Sequence, residues 1–270
     1  MKTPDTVTSL DITIVQAPIV WGGKDVNLDW YSMQLQPLAG RTDLVVLPEM
    51  FATGFITDPE KTAEPMDGNI VRWMADTAET MGCVVTGTVT VVEENKFYNR
   101  LVWMLPDGTY ETADKRHLFR MGNEHLNFSA GDKVLITELK GWKIRPLVCY
   151  DLRFPVWSKN TFADDDYAYD LLIYVANWPA SRSYVWKSLL VARAIENMAF
   201  CAGVNRIGDD GHGLPHSGDS AVLDFKGREI VKFVPNEPFI KTVTLDYGSL
   251  FDFRSRFAVG PDWDRFTIEP

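Results

Sequence analysis

Residues 142–155 read WKIRPLVCYDLRFP, and in this stretch a buried-type strand runs into a cysteine and then into a turn that ends at proline. The pattern recurs in DLLIYVANWP at 170–179 and in DLVVLPEMF at 43–51, where a short continuous apolar run stops at polar residues beside a proline. Continuous apolar strands are typical of sheets that are covered on both faces. The three segments therefore predict an α/β protein whose chemically active side chains lie at strand ends.

The periodicity of the rest of the chain places helices between strands. Three- and four-residue spacing of apolar side chains predicts helices over 25–38, 69–81 and 183–198, the last with an apolar stripe at Val185, Leu189, Ala192 and Ile195. Predicted strands cover residues 9–17, 43–47, 83–92, 97–105, 109–114, 142–149, 170–176, 200–205, 220–225, 229–233 and 240–246. Because no linker or repeat interrupts this order, we expect mixed sheets in a single domain spanning 1–270.

The composition is that of an ordinary globular protein. Of the 270 residues 46 % are hydrophobic, and 27 Lys+Arg against 37 Asp+Glu give a formal net charge of −10. An acidic chain without a basic block lacks the electrostatic footprint of nucleic-acid or anionic-membrane binding. The N-terminal residues do not resemble a secretory signal, and no apolar run is long enough to span a bilayer, so we expect a cytoplasmic protein.

The cysteines are too few and too widely spaced for a disulfide framework or a zinc ribbon. Cys149 ends a predicted strand immediately before a turn, where a side chain projects into a cleft close to backbone N–H groups. It is therefore a candidate nucleophile; the alternative is a buried cysteine that serves only as a small hydrophobic side chain. Cys83 and Cys201 lie in apolar runs and are expected in the core.

A thiol nucleophile needs a base and a group that stabilises an oxyanion. Histidine is the usual base, but no orienting partner is evident in the sequence for any of the four histidines, His117, His125, His212 and His216. His212 and His216 lie in a loop rich in glycine and aspartate. Four-residue spacing in such a loop is not the helical pair of a metal site, so we expect no metal.

Two charged residues at strand ends offer another solution. Glu49 directly follows the apolar run at 43–47, where a carboxylate shielded from water becomes a stronger base. Lys115 follows the predicted strand at 109–114 and is a candidate cation for an oxyanion. The alternative for each is an exposed charge in a loop or at a strand end.

Three short segments together resemble the signature segments of the nitrilase superfamily of carbon–nitrogen hydrolases, namely Leu47-Pro-Glu49-Met-Phe51, Lys115-Arg-His-Leu-Phe119 and Val148-Cys149-Tyr-Asp-Leu-Arg-Phe154. The resemblance covers nearly the whole chain. It implies a four-layer α-β-β-α sandwich of two mixed sheets. It also implies a triad with Glu49 as general base, Lys115 as oxyanion stabiliser and Cys149 as nucleophile, and a second glutamate after the lysine, for which Glu124 is the candidate.

Within the superfamily the motifs look like the omega-amidase branch, whose members hydrolyse the terminal amide of 2-oxoglutaramate or 2-oxosuccinamate through a thioester, without a metal or an organic cofactor. The backbone N–H of Tyr150 is then expected to contact the oxyanion. A substrate carboxylate requires a cation, for which Arg153 is the first candidate and Arg182 and Arg120 are others. Trp178 is expected to form a pocket wall. Alternatively, Arg153 braces the nucleophile turn and Trp178 is a core or interface aromatic.

Two other functions stay open. Another branch of the superfamily, such as a short-chain amidase, a carbamoyl-amine hydrolase or a nitrilase, shares the triad, and an inactive scaffold member is a further alternative. Members of the superfamily pair through their sheets. The aromatic residues of 251–270 and a helix expected at 155–163 therefore predict the interface of a homodimer.

Overall fold

The fold is known from a computed structural model that describes residue 7 and residues 9–268. Its strands are β1 Leu10–Gln16, β2 Leu44–Val46, β3 Val84–Glu93, β4 Lys96–Met104, β5 Tyr110–Asp114, β6 Thr137–Leu139, β7 Trp142–Val148, β8 Phe162–Ala163, β9 Asp166–Tyr167, β10 Leu171–Ala176, β11 Phe200–Asn205, β12 Ile207–Asp209, β13 Pro215–Ser217, β14 Ala221–Leu223, β15 Glu229–Val231 and β16 Phe239–Leu245. Its α-helices are α1 Lys24–Leu35, α2 Asn69–Met81, α3 Glu124–Asn127, α4 Pro155–Ser158, α5 Ser183–Asn197 and α6 Tyr247–Arg256.

The two large sheets are both mixed. The first has the strand order β16-β1-β2-β3-β4-β5, with β1, β2 and β3 parallel and the outer pairs antiparallel. The second has the order β15-β14-β11-β10-β7-β6, with β7, β10 and β11 parallel. The parallel strands at the centre of each sheet include the apolar runs that precede Glu49 and Cys149, whereas Lys115 follows β5 at the edge of the first sheet.

Helices cover the outer face of each sheet. Along β2, Leu44 and Val46 join the apolar cluster between the two sheets, whereas Val45 joins the cluster that includes the buried faces of α1 and α2. On the other side, α5 packs on β11 of the second sheet. Every central strand is thus buried on both faces, which explains its lack of polar alternation. The predicted α-β-β-α sandwich is confirmed.

The predicted apolar stripe of the helix at 183–198 is shifted by about one residue from the most buried face, although Val185 and Leu189 are partly buried and pack against the core. The apolar side chains that α5 buries are Trp186, Leu190 and Ala194. Ile195 is instead 51 % exposed. The same face of α5 buries Arg193, whose Nη2 donates to the backbone oxygen of Leu152 at 2.6 Å. Arginine is usually exposed, so a hydropathy pattern assigns Arg193 to the solvent side of the helix. The pattern therefore favours the adjacent helix face, which ends at Ile195.

The two segments for which the sequence predicts a dimer interface pack partly against the rest of the same chain. The helix expected at 155–163 ends early, because α4 covers only Pro155–Ser158. In the C-terminal segment, Phe253 packs against the core, and Arg254 forms a buried ion pair with Asp170 at 2.6 Å. Phe257 stays 57 % exposed. Residues 269–270 lie outside the described residues, and among those described no helix is long and apolar enough to cross a membrane.

The contact between α5 and β11 is tight enough to test. A Cβ atom on Gly203 would lie 2.4 Å from Leu190 Cδ1 and 2.8 Å from Trp186 Cζ2. We expect Gly203→Ala to lower the free energy of unfolding by about 1–3 kcal/mol, measured by urea denaturation, because the helix must move away from the sheet. Ser188→Ala, on the exposed side of α5, is the matched control and should leave the stability unchanged. Equal stabilities of the two variants would contradict this packing.

Candidate active site

Cys149 lies at the turn that ends β7. It opens a 3₁₀ turn over Cys149–Arg153 and has a φ of 42°, a left-handed conformation that non-glycine residues rarely adopt. This turn directs the side chain away from the sheet and into a pocket, and the first N–H groups of such a turn have no acceptor within it. The thiol is 8 % exposed. The thiol Sγ lies 3.9 Å from the backbone oxygen of Asn177.

Glu49 follows β2 and is fully buried. The residue after it, Met50, has a φ of 43°, and its N–H donates to Thr88 Oγ1 at 2.8 Å. The carboxylate accepts the N–H of Asn177 at Oε2, 2.8 Å away, and the side-chain amide of Asn99 at Oε1, also 2.8 Å away. Asn177 also donates its side-chain amide to the backbone oxygen of Glu49. These bonds hold the carboxylate in one orientation without a solvent contact.

Lys115 directly follows β5, and its ammonium is held between two buried carboxylates. Lys115 Nζ lies 2.9 Å from Glu49 Oε1 and 2.9 Å from Glu124 Oε2. Glu124 opens the short helix α3, and its Oε2 also accepts the N–H of Phe119 at 2.6 Å. Asn99 donates to Glu124 Oε1 at 3.1 Å, so one amide joins the two carboxylates. The predicted Glu49, Lys115 and Glu124 therefore form one connected group, which Asn177 joins to the Cys149 thiol.

Burial and charge act on the protonation of this group in opposite directions. Burial raises the pKa of the Cys149 thiol well above its usual range, and Glu49 raises it further, whereas Lys115 lowers it. Burial lowers the pKa of Lys115, but the carboxylates of Glu124 and Glu49 outweigh this effect and the pKa is raised. Burial raises the pKa of Glu124, which Lys115 opposes. The free site thus keeps an ammonium beside a protonated thiol.

Glu49, Lys115 and Cys149 line a pocket of about 450 Å³. Tyr150, Arg153 and Trp178 line the same pocket, as does Arg182. Arg153 stacks over the Trp178 ring with 5.2 Å from Cζ to the ring centroid, and Arg182 lies 5.3 Å from the Phe119 centroid. Trp178 lies in the pocket wall, as expected. It is also 3 % exposed and part of the hydrophobic core, which was the alternative. Arg120 is exposed and does not line the pocket.

The histidines take other places. His117 does not line the pocket; its Nδ1 lies 2.8 Å from Asp151 Oδ1. His212 and His216 lie at the mouth of the pocket, on the hairpin of β12 and β13. Burial lowers the pKa of His216 to about 4, and Arg206 adds to this effect. In the described part of the chain, no three His, Cys, Asp or Glu side chains are arranged to hold a metal ion.

Three residues of the site were missed from the sequence. Asn99 and Asn177 orient the carboxylates, and Asp151 accepts N–H groups from Val148 and His117 at 3.0 Å. Asn99 lies within a β-strand and its amide offers no periodic signal. Asn177 and Asp151 each follow a predicted strand end, so their positions pointed to the site although their roles did not.

Comparison with known proteins identifies the family. The family described as Carbon-nitrogen hydrolase matches residues 11–254, and the chain belongs to it. The chain is 43 % identical to "Omega-amidase YafV" of Escherichia coli K12 over 96 % of this chain and 98 % of that one. It is 32 % identical to "2-oxoglutaramate amidase" of Bacillus subtilis over 82 % of this chain and 85 % of that one. The resemblance carried by the three sequence segments is confirmed.

Solved structures agree with this assignment. XC1258 of Xanthomonas campestris, described as a CN-hydrolase superfamily protein with an arsenic adduct in the active site, is 45 % identical and superposes with a TM-score of 0.95 over 97 % of this chain and 100 % of that chain. Nit3 of Saccharomyces cerevisiae, a member of the nitrilase superfamily, has a TM-score of 0.82 at 21 % identity, over 94 % and 97 % of the two chains. The second likeness concerns the fold alone.

Because Glu49 raises the pKa of Cys149, removal of its charge has a predictable effect on the reactivity of the thiol. Glu49→Gln removes a negative charge beside the thiol, so the pKa of Cys149 should fall. The thiol should then react about 3- to 10-fold faster with methyl methanethiosulfonate at pH 8, because each pKa unit of decrease gives up to tenfold more thiolate. Amide hydrolysis should nevertheless fall by about 100-fold or more, because the carboxylate base is missing. Mass spectrometry and ammonia release measure the two rates.

The controls for this experiment are the other cysteines. Cys149→Ala should lose both the modification and the hydrolysis while it stays folded. Cys83→Ala and Cys201→Ala should change only stability, because both thiols are buried and burial raises the pKa of Cys83 to about 12. Slower modification of Glu49→Gln than of the parent chain would show that Glu49 already holds the thiol proton in the free site.

Proposed function

We propose that this chain is an omega-amidase that hydrolyses the terminal amide of 2-oxoglutaramate or 2-oxosuccinamate to ammonia and the 2-oxo diacid. The observation that carries the proposal is a pair of guanidinium groups, those of Arg153 and Arg182, in the same pocket as the Cys149 thiol. Among the described residues each of these guanidinium groups lies over an aromatic ring and forms no ion pair, and both side chains are partly buried. Unpaired cations in a pocket favour a substrate with a carboxylate.

The names of the relatives support the same substrate class. Relatives that align over most of both chains are called omega-amidase and 2-oxoglutaramate amidase. Their substrate, a short chain with an amide at one end and a 2-oxo carboxylate at the other, fits a pocket with a thiol at one end and cations along its wall. The amide would lie against Cys149 and the carboxylate against Arg153, with Arg182 beside it.

The proposed chemistry begins with transfer of the Cys149 proton to Glu49. The thiolate attacks the amide carbon, and the oxyanion of the tetrahedral intermediate lies between the Lys115 ammonium and the Tyr150 N–H. The C–N bond breaks as the proton passes from Glu49 to the leaving nitrogen, which departs as ammonia and leaves a thioester. Glu49 then takes a proton from water, which attacks the thioester and releases the acid and the thiol.

Lys115 is suited to the oxyanion because it keeps its proton throughout. A lysine that loses its proton on burial would act as a base, but the carboxylates of Glu49 and Glu124 on either side stabilise the ammonium form. In this mechanism Glu124 compensates the charge of Lys115 whenever Glu49 is protonated. The side-chain amide of Asn99 donates to both carboxylates and so fixes the position of each glutamate relative to the other.

We also propose that the protein works as a homodimer in a reducing cytoplasm. The three cysteines are free, as a reducing compartment requires. Val156 on α4 and Phe257 after α6 are each 57 % exposed and lie in the two segments for which the sequence predicts an interface. Exposed apolar side chains in those segments support an interface between two copies of the chain.

Substrate choice tests the proposed activity. We expect kcat/KM for 2-oxoglutaramate to exceed that for valeramide, a neutral amide of equal length, by about 30-fold or more, because valeramide leaves the pocket cations unpaired. Arg153→Ala should remove most of this preference and Arg182→Ala part of it. Arg120→Ala is the matched control: it changes an arginine outside the pocket and should keep the preference. Equal kcat/KM values for both amides would reject the omega-amidase assignment.

Light scattering at micromolar concentration tests the homodimer. We expect twice the chain mass for the parent protein, and a shift toward the monomer mass for the Val156→Lys/Phe257→Lys double variant, because two charges enter the interface. Met33→Lys, at an exposed apolar residue on α1, is the control and should stay dimeric. A monomer mass for the parent protein would refute the dimer.

A further inference from the structure

The nucleophile and the groups that act on it come from different sheets. Glu49 follows β2 and Lys115 follows β5, both strands of the first sheet, whereas Cys149 follows β7 of the second sheet. Sheets that pack face to face are joined mainly by apolar side chains, which fix their distance better than their register. A site that needs atoms placed to within about 0.5 Å therefore requires polar links across this interface.

Glu49 has such a link in Asn177, at the end of β10 in the second sheet. Lys115 has a different one. Asp151, two residues after Cys149, accepts the N–H of His117, two residues after Lys115, at 3.0 Å. The same Oδ1 contacts His117 Nδ1 at 2.8 Å. One residue thus separates Asp151 from Cys149, and one residue separates His117 from Lys115.

Asp151 also holds the nucleophile turn itself. Its second oxygen, Oδ2, accepts the N–H of Val148 at 3.0 Å, so a single carboxylate binds the strand end before Cys149 and the segment after Lys115. Asp151 is 2 % exposed, and the His117 ring stacks on Phe154 with 3.7 Å between centroids and an interplanar angle of 5°. A buried carboxylate that accepts three bonds between two segments permits little relative movement.

We propose that Asp151 and His117 are a positioning pair that sets the Lys115 ammonium against the Cys149 thiol across the two sheets. The pair touches neither the substrate nor the reacting atoms and acts through the two residues that it places. The inference rests on the proposed thiol mechanism but not on the identity of the amide substrate. The pair therefore governs the chemical step more than substrate binding.

Asp151→Asn and His117→Phe test the pair at its two ends. The asparagine cannot accept from both Val148 and His117, and the phenylalanine keeps the ring on Phe154 but loses the Nδ1 bond. We expect kcat for 2-oxoglutaramate to fall about 10- to 100-fold in Asp151→Asn and about 3- to 10-fold in His117→Phe, with KM changed less than about threefold, because misplacement by 1 Å has effects of this size. The double variant should be no slower than Asp151→Asn alone.

Reaction of the Cys149 thiol with methyl methanethiosulfonate gives a readout that needs no amide substrate. Loss of the Asp151 charge by itself would favour the thiolate and speed the reaction. Retreat of Lys115 from the thiol would slow it, because Lys115 lowers the pKa of Cys149. We expect a slower reaction in both variants, because the Lys115 ammonium and the Cys149 thiol move apart; in Asp151→Asn this sign is opposite to that expected from loss of the charge alone.

Asp170→Asn is the matched control. Asp170 is as deeply buried as Asp151 and joins Arg254 and the N–H of Lys143 far from the pocket. It should lower the melting temperature while kcat and the thiol reaction stay at parent values. Parent-level kcat or thiol reactivity in Asp151→Asn, or a loss of both in Asp170→Asn, would overturn the inference. If 2-oxoglutaramate is not hydrolysed at all, the proposed function fails, but the thiol reaction still decides the role of the pair.

Discussion

The Lys115 ammonium between the Glu49 and Glu124 carboxylates is the interaction on which the rest of the site depends. An isolated charge in such a place would cost several kcal/mol, so none of the three groups is stable there without the others. All three are at most 1 % exposed, and Asn99 donates to one oxygen of each carboxylate. Burial raises the pKa of the adjacent Cys149 thiol, and Glu49 raises it further, whereas Lys115 lowers it.

The fold places this charged group, which comes from the first sheet, next to a thiol that comes from the second sheet. Continuous apolar strands bury both faces at the centre of each sheet. The ends of β2 in the first sheet and β10 in the second lie together, because the N–H of Asn177 donates to Glu49. Asn177 and the Asp151–His117 pair join the two sheets by hydrogen bonds. Packing therefore holds the two halves of the site near each other, and a few polar contacts fix their register.

Much of this could be predicted from the sequence, for a physical reason. Strands buried on both faces appear in the sequence as apolar runs, and Glu49 and Cys149 follow two of these runs. Lys115 instead follows β5, a partly exposed edge strand, so its place in the site depended more on the family resemblance. The helix at 69–81 has the predicted limits because its apolar spacing and its glycine at 82 agree. The predicted stripe of α5 was shifted because a buried arginine contributes to that face, and Asn99 was missed because its role depends on partners far away in the chain.

Charge is also distributed along the pocket in a way that fits the proposed reaction. At the thiol end the carboxylates of Glu49 and Glu124 flank the Lys115 ammonium, whereas Arg153 and Arg182 lie along the pocket wall. A substrate with a neutral amide and a distant carboxylate matches both ends. In the proposed reaction, hydrolysis replaces the neutral amide by a second carboxylate close to that of Glu49, and like charges in a site of low dielectric repel each other. We therefore expect the diacid product to be bound less tightly than the amide substrate.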